Sequence, residues 1–248
     1  MPVAEAAPPG LADDPALPPP ALVRALGAAC GLELDRFRAP HVARTVDRAV
    51  ARLGTGDART LADRLAADPA ARARFRRAIA VSTTGMFRDP AQFALLDRLL
   101  RDGAREDRPL RVWSVGMSDG SELCSVAILL QAQGRLGGAV LLGSDLLPEN
   151  VVLARERVQE RLDDEARAVV RLEERDVSRS APGGGWDVVL CRNVLIHLDP
   201  AAKRAMLDHA AGALAPGGLL LLGRSERLPR DDRRGLLDAG ANAYRRAS

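Results

Sequence analysis

Lysine is nearly missing from this sequence: Lys203 is the single one among 36 basic residues. Beside the abundance of alanine, this arginine bias reads as the imprint of a GC-rich genome and not as chemistry. Aromatic residues make up 3% of the chain, too few to alternate with arginines as a nucleic-acid surface requires. The 33 acidic side chains nearly balance the basic ones, leaving a net charge of +3, so no nucleic acid is expected as a partner. Cysteine is scarce too. Cys30, Cys124 and Cys191 stand far apart with no CxxC pair, which argues against a disulfide framework or a zinc knuckle and predicts no metal and a reducing cytoplasm. No run of about 18 uncharged apolar residues occurs, so no membrane-spanning helix is predicted. The first 20 residues have neither the basic nor the apolar region of a secretory signal. No repeat marks a coiled coil, solenoid or collagen. A cytoplasmic monomer is expected.

What is present is 248 residues that are 47% hydrophobic, enough for one large domain or a small one joined to a medium one. Residues 1–20 are rich in Pro, Ala and Asp and are expected to form a disordered leader. From Ala21 to Ala80 apolar residues recur at helical spacing, as in Leu22, Leu26 and Cys30 or Val42, Val46 and Val50. With its linker, this predicts an all-helical domain of four or five helices over residues 21–90. Arg44, Arg48 and Arg52 share one face of such a helix, and a solvated surface explains them as well as a binding face does.

Beyond Arg108 the pattern changes. The short apolar runs RVWSVG, AVLLGSD, WDVVLCRN and GLLLLGRSE alternate with the amphipathic stretches SELCSVAILLQAQ, PENVVLARERVQERL and AAKRAMLDHAAGAL. That alternation predicts an α/β domain over residues 91–248, with a parallel sheet covered on both faces. Ligands of such sheets sit at the carboxyl ends of the strands, where every polar cluster here falls. Gly116-Met117-Ser118-Asp119-Gly120 joins the first strand to a helix. Its glycines let backbone approach a ligand, but the same residues match the G-x-S-x-G elbow of serine hydrolases, and a bare tight turn is a third reading. Asp145 ends the next strand, where an acid can accept both hydroxyls of a ribose; it could also cap the following helix. Without a full GxGxxG or a GK[ST], pyrophosphate is not the obvious ligand, and S-adenosylmethionine suits the pair. A hydrolase would need a histidine near Ser118; His197 is the better placed candidate, with no acid partner evident in chain order.

Five further segments carry a resemblance. They are T-G-M-F-R-D at 84–89, W-S-V-G-M-S-D-G-S-E-L-C-S at 113–125, S-D-L at 144–146, C-R-N-V-L-I-H-L at 191–198, and P-G-G followed by G-R-S-E at 216–226. In type and order they resemble the CheR-type chemotaxis receptor methyltransferases, S-adenosylmethionine-dependent protein-glutamate O-methyltransferases, over residues 21–248. The resemblance implies a Rossmann-like methyltransferase domain behind a small helical one. It implies that Ser82, Thr84 and Arg88 meet the amino-acid end of the cofactor and the acceptor carboxylate, and that Gly116 lies in the cofactor turn. Glu122 would bind near the methionine moiety, Asp145 the ribose, and Asp176 and Val177 the adenine; Arg192 and Asn193 would close the pocket. His197 takes the place of the family's tyrosine beside the methyl group, and Arg88 and His197 are the residues implied at the reaction centre. The implied partner is an acidic protein, such as a cytoplasmic chemoreceptor segment, which the Arg44 helix would face. Three features depart from the family. Ser121 replaces the first of two glutamates, His197 the tyrosine, and only about 20 residues separate Arg155 from Asp176, where a receptor-docking β-subdomain would stand. These departures leave open another protein or small carboxylate as acceptor, or a non-catalytic protein that binds the cofactor.

Overall fold

The computed structural model describes residues 18–81, 84–102, 108–229 and 231–247. Two compact units divide the chain, the first ending at Ile79 and the second beginning at Ala80. Residues 1–17 of the expected leader, and Ser82, lie outside the described residues. Pro20 belongs instead to the first helix, whose opening turn suits its fixed φ and missing N–H.

The first unit contains helices α1 (Pro20–Cys30), α2 (Ala39–Leu53), α3 (Ala58–Ala67) and α4 (Pro69–Ile79), with a one-turn 3-10 helix at Leu34–Arg36. Gly31 and Gly54 end α1 and α2 in the left-handed region at φ 69° and 63°. Asp57 caps α3 by accepting from Thr60 N at 2.7 Å. Leu26, Cys30, Val42, Val46, Leu61, Leu65, Phe75 and Ile79 are buried, whereas Leu22 and Val50, selected by the same helical spacing, are only half-buried. Arg44, Arg48 and Arg52 lie exposed on α2.

The second unit begins with α5 (Pro90–Asp102) and then alternates β1 (Arg111–Val115), α6 (Ser121–Ala132), β2 (Val140–Asp145), α7 (Pro148–Arg161), α8 (Asp164–Ala168), β3 (Val170–Glu174), β4 (Trp186–Cys191), α9 (Pro200–Gly212), β5 (Leu214–Leu222), β6 (Leu236–Gly240) and β7 (Ala243–Arg246). One seven-stranded sheet runs β3-β2-β1-β4-β5-β7-β6. β1 to β5 are parallel, and β7 is antiparallel to both β5 and β6. Successive strand residues face opposite sides: Val112, Leu141, Val188 and Leu219 pack with residues of α5 to α8, whereas Trp113, Leu142, Val189 and Leu220 pack with α9. The order reverses at β1, between β2 and β4, which opens a crevice at the carboxyl ends of these strands.

Three strands and two helices have weak sequence signals. β3 reads V-R-L-E-E at the sheet edge, and β6 and β7 form a short hairpin at the other edge, so none is a continuous apolar run. α8 has five residues, and α5 follows the linker directly. The expected domain boundary at 90 also differs from the division at Ile79. The segment from Gly85 onward bonds to the sheet unit, Phe87 N donating to Ser125 Oγ at 2.9 Å. Residues 155–176 form the end of α7, α8 and β3, so a one-turn helix stands where the resemblance would put a β-subdomain.

Pro216-Gly217-Gly218 lies within β5. Trp186 pairs with Leu214 but Val188 with Leu219, so three extra residues bulge out of β5 there. A Cβ on Gly218 would lie 2.8 Å from the carbonyl oxygens of both Ala215 and Trp186. Backbone cannot yield as a side chain does, so Gly218→Ala is expected to destabilise the fold by about 1–3 kcal/mol, read as a lower urea midpoint with an unchanged slope.

Candidate functional site

Five strand ends meet at the crevice. After β1 the chain turns through Gly116 and Gly120, both left-handed at φ 64° and 78°. At Gly116 a Cβ would come within 2.6 Å of Val194 Cγ2, so only glycine lets the turns after β1 and β4 approach this closely. Two bonds tie this turn to the end of β2: Met117 N donates to Ser144 O at 3.1 Å and Ser118 N to Asp145 Oδ2 at 2.9 Å.

Asp145 is 6% exposed. Its Oδ1 accepts from Leu147 N at 2.9 Å and Asn150 Nδ2 at 3.0 Å. Burial pushes its carboxyl above the usual aspartate range, against the lowering effect of these bonds. Three of about four lone-pair directions are occupied, leaving one for a ligand hydroxyl. Leu147, not Asp145, is the N-cap of α7, so the capping alternative does not describe this residue.

Arg192 follows β4, and its side chain is 3% exposed. Its Nε donates to Gln92 Oε1 at 2.9 Å and its Nη1 to Glu122 Oε2 at 2.7 Å. Its Nη2 donates to Arg88 O at 2.7 Å and lies 3.3 Å from Asp89 Oδ2, while the guanidinium sits 5.1 Å from the centre of the Phe93 ring. Glu122 also accepts from Ser114 Oγ at 2.9 Å, and Gln92 Nε2 donates to Leu222 O at 2.8 Å. One guanidinium thus joins the linker, α5, α6 and β4, and through Gln92 the end of β5.

A second buried charge shapes the next turn. Glu226, 2% exposed, accepts from Asn193 N and Gly223 N, each at 2.8 Å, and from Ile196 N at 3.3 Å. This holds Asn193 left-handed at φ 60° and sets the one-turn 3-10 helix Leu195–His197 that carries half-buried His197. Beyond β3, Asp176 closes its own turn by accepting from Ser178 N at 2.9 Å and from Arg179 Nε at 3.1 Å. Val177 packs its side chain into the core, and its carbonyl lies 2.7 Å from His209 Nδ1.

The structure therefore brings Gly116, Glu122, Asp145, Arg192 and Asn193 together at the strand ends. Asp176, Val177 and His197 are carried on the turns after β3 and β4. Thr84 is half-buried and Arg88 exposed in the linker; Ser82 lies outside the described residues. Gln92, Asn150, His209 and the pinning role of Glu226 were not foreseen. Glu226 stands in the G-R-S-E run, but a carboxylate that bonds only backbone N–H groups has no partner a sequence can display. All three cysteines are buried, and burial pushes the Cys124 thiol up to about 11 and that of Cys191 well above its usual value, away from the reactive thiolate.

The chain belongs to the family described as CheR methyltransferase, SAM binding domain, whose model matches residues 82–161 and 147–239 and so covers more than half of it. S-adenosylmethionine (SAM) is the cofactor of that domain. A "Chemotaxis protein methyltransferase" of Vibrio parahaemolyticus is 32% identical over 61% of this chain and 66% of its own length. "Chemotaxis protein methyltransferase 2" of Pseudomonas aeruginosa is 27% identical over 79% and 81%. Among solved structures, the glycopeptide N-methyltransferase MtfA complexed with sinefungin overlaps 56% of this chain and 50% of its own, at 20% identity and a TM-score of 0.44. The chain spans just under two thirds of the Vibrio relative's length.

Donors and acceptors at the crevice fit S-adenosylmethionine. A buried carboxylate has one lone-pair direction left for a ribose hydroxyl, the glycine turn excludes a Cβ, and Ser118 Oγ is buried without a partner among the described residues. Arg192→Ala would leave a cavity and strip the half-buried Glu122 carboxylate of its cationic partner, so it is expected to cost about 3–5 kcal/mol of stability, measured by chemical denaturation.

Proposed function

We propose that this protein is a cytoplasmic methyltransferase that transfers the methyl group of S-adenosylmethionine to a glutamate carboxylate of an acidic protein, in a chemotaxis-like signalling system. Asp145 carries the reading: a buried acid at the end of β2, braced by the glycine turn and with accepting capacity to spare. The names of the relatives support a chemoreceptor as acceptor. No described helix is long and apolar enough to cross a membrane.

Bound S-adenosylmethionine supplies an electrophilic sulfonium methyl group. A glutamate acceptor is ionised at neutral pH and needs no general base, so the protein's task is to hold two partners in line. Asp145 orients the ribose, with Asp176 and Val177 presenting their turn to the adenine. Glu122, fixed by Arg192 and Ser114, faces the ligand's ammonium end together with Thr84. Arg88, whose carbonyl Arg192 grips, extends its guanidinium from an anchored backbone to pair with the acceptor carboxylate and offset its desolvation. On the turn that Glu226 pins, Asn193 closes the pocket and His197 borders the methyl group.

Asp145→Ala is expected to weaken S-adenosylhomocysteine binding at least tenfold, about 1.4 kcal/mol, in a calorimetric titration. Because the carboxyl of Asp145 titrates above the usual aspartate range, acid removes its accepting capacity early. Wild-type affinity should decline as pH falls through that raised pKa, and Asp145→Ala should not show this step. The sign for stability is the reverse, since the folded state holds this proton more tightly than the unfolded state and gains from it as pH falls. Activity is tested with labelled S-adenosylmethionine and a chemoreceptor cytoplasmic domain. Base-labile label on the receptor is expected. Cofactor binding without label on any acceptor would instead favour the non-catalytic reading that His197 and Ser121 keep open.

A further inference from the structure

A second recess lies at the opposite end of the sheet from the crevice. Arg108 precedes β1, Asp187 is the second residue of β4, and the bulge at residues 216–218 lies in the first half of β5, so the amino ends of the parallel strands meet there. Leu219 pairs with Val188 on one side and with Arg245 of β7 on the other, which carries Arg245 to the same end. Together with Leu100 of α5 and Arg135 beyond α6, these residues line a cavity of about 50 Å³. One water needs about 10–15 Å³ of such space, so the cavity suits one small polyatomic ion and is too small for a nucleotide.

Three guanidiniums and one carboxylate line it. The carboxylate is already matched, since Asp187 Oδ2 accepts from Arg108 Nη1 at 3.0 Å and from Arg111 N at 2.9 Å. Arg135 Nη1 donates to Leu100 O at 2.8 Å, and Arg245 Nη1 donates to Gly217 O at 2.9 Å. Neither has an acidic partner among the described residues; Asp97 of α5 is taken by Arg101 and Gln133. Each of these two guanidiniums is therefore anchored at one nitrogen by a backbone carbonyl and keeps further N–H donors to offer. A solvated basic face would leave its side chains free to swing apart in water. Here two half-buried positive charges are held at one concave site, which concentrates positive potential there. Gly217, left-handed at φ 75°, adds no side chain to fill the space.

We propose that this recess is a binding site for a small tetrahedral oxyanion, inorganic phosphate or sulfate, separate from the crevice. The ion accepts charge-assisted hydrogen bonds from Arg135 and Arg245 and so ties the segment after α6 to β7. The proposal does not depend on the cofactor reading.

The test is a series of melting curves with increasing sodium phosphate, at an ionic strength held constant with sodium chloride. Wild type, Arg135→Gln, Arg245→Gln and the crevice variant Asp145→Ala are compared. Wild type should gain melting temperature and level off in the millimolar range, as a single saturable site requires. Each arginine variant should need about tenfold more phosphate or show no saturable gain, whereas Asp145→Ala should respond as wild type does. Should Arg245→Gln unfold too readily because Gly217 O loses its donor, Arg135→Gln alone decides. A gain that is linear in phosphate, or equal in the arginine variants, overturns the proposal, because phosphate stabilises folded proteins in general by exclusion from their surface. No gain in wild type overturns it as well, and loss of the response in Asp145→Ala would put the ion in the crevice instead.

Discussion

A single buried guanidinium organises the carboxyl end of this sheet. Arg192 spends its donors on Gln92, Glu122 and the Arg88 carbonyl, so the segment after β4, the start of α5 and the first turn of α6 cannot move independently. A buried ion pair contributes little net stability over an apolar substitute, but it penalises every arrangement that separates the partners. The interaction is therefore better understood as a device for register than as a source of folding energy. Its consequence is a crevice whose walls are assembled before any ligand arrives, which is what catalysis by positioning requires.

Around that fixed point the backbone is strained where the site needs it. Phe87, Asp89, Ser118 and Asn193 all have positive φ without being glycine. Each is held by neighbours: Phe87 N by Ser125, Asp89 beside Arg192, Ser118 N by Asp145, Asn193 N by Glu226. Such conformations persist only when the surroundings over-determine them, and for Asp89 and Asn193 those surroundings are Arg192 and Glu226. The two buried charges have divided the work. Arg192 unites separate elements, and Glu226 shapes a single turn by collecting three backbone N–H groups.

Much of this was legible in the sequence, for identifiable reasons. β1, β2 and β4 are apolar runs buried on both faces, and α6, α7 and α9 carry helical periodicity, so hydrophobic patterning located them. Polar clusters at the strand ends located Gly116, Asp145 and Arg192. Edge strands escaped because β3 alternates charge with apolar residues and the β6–β7 hairpin is short. Contacts across sequence were hidden altogether. Gln92 lies 100 residues from Arg192, and nothing in its local context marks it as buried. The same holds for the tie between His209 and Val177, which join only when α9 packs on the sheet. The segment between α7 and β3 is the reverse case, where a short spacing correctly implied that no extra strands stand there.

The most direct measurement is a crystal structure of the protein with S-adenosylhomocysteine. The account predicts the ligand in the crevice between β1 and β4, its ribose on Asp145, with Arg192 still bonded to Gln92, Glu122 and the Arg88 carbonyl. A ligand bound elsewhere, or an Arg192 that leaves these partners to reach the ligand, would contradict the view that the site is built in advance around this residue.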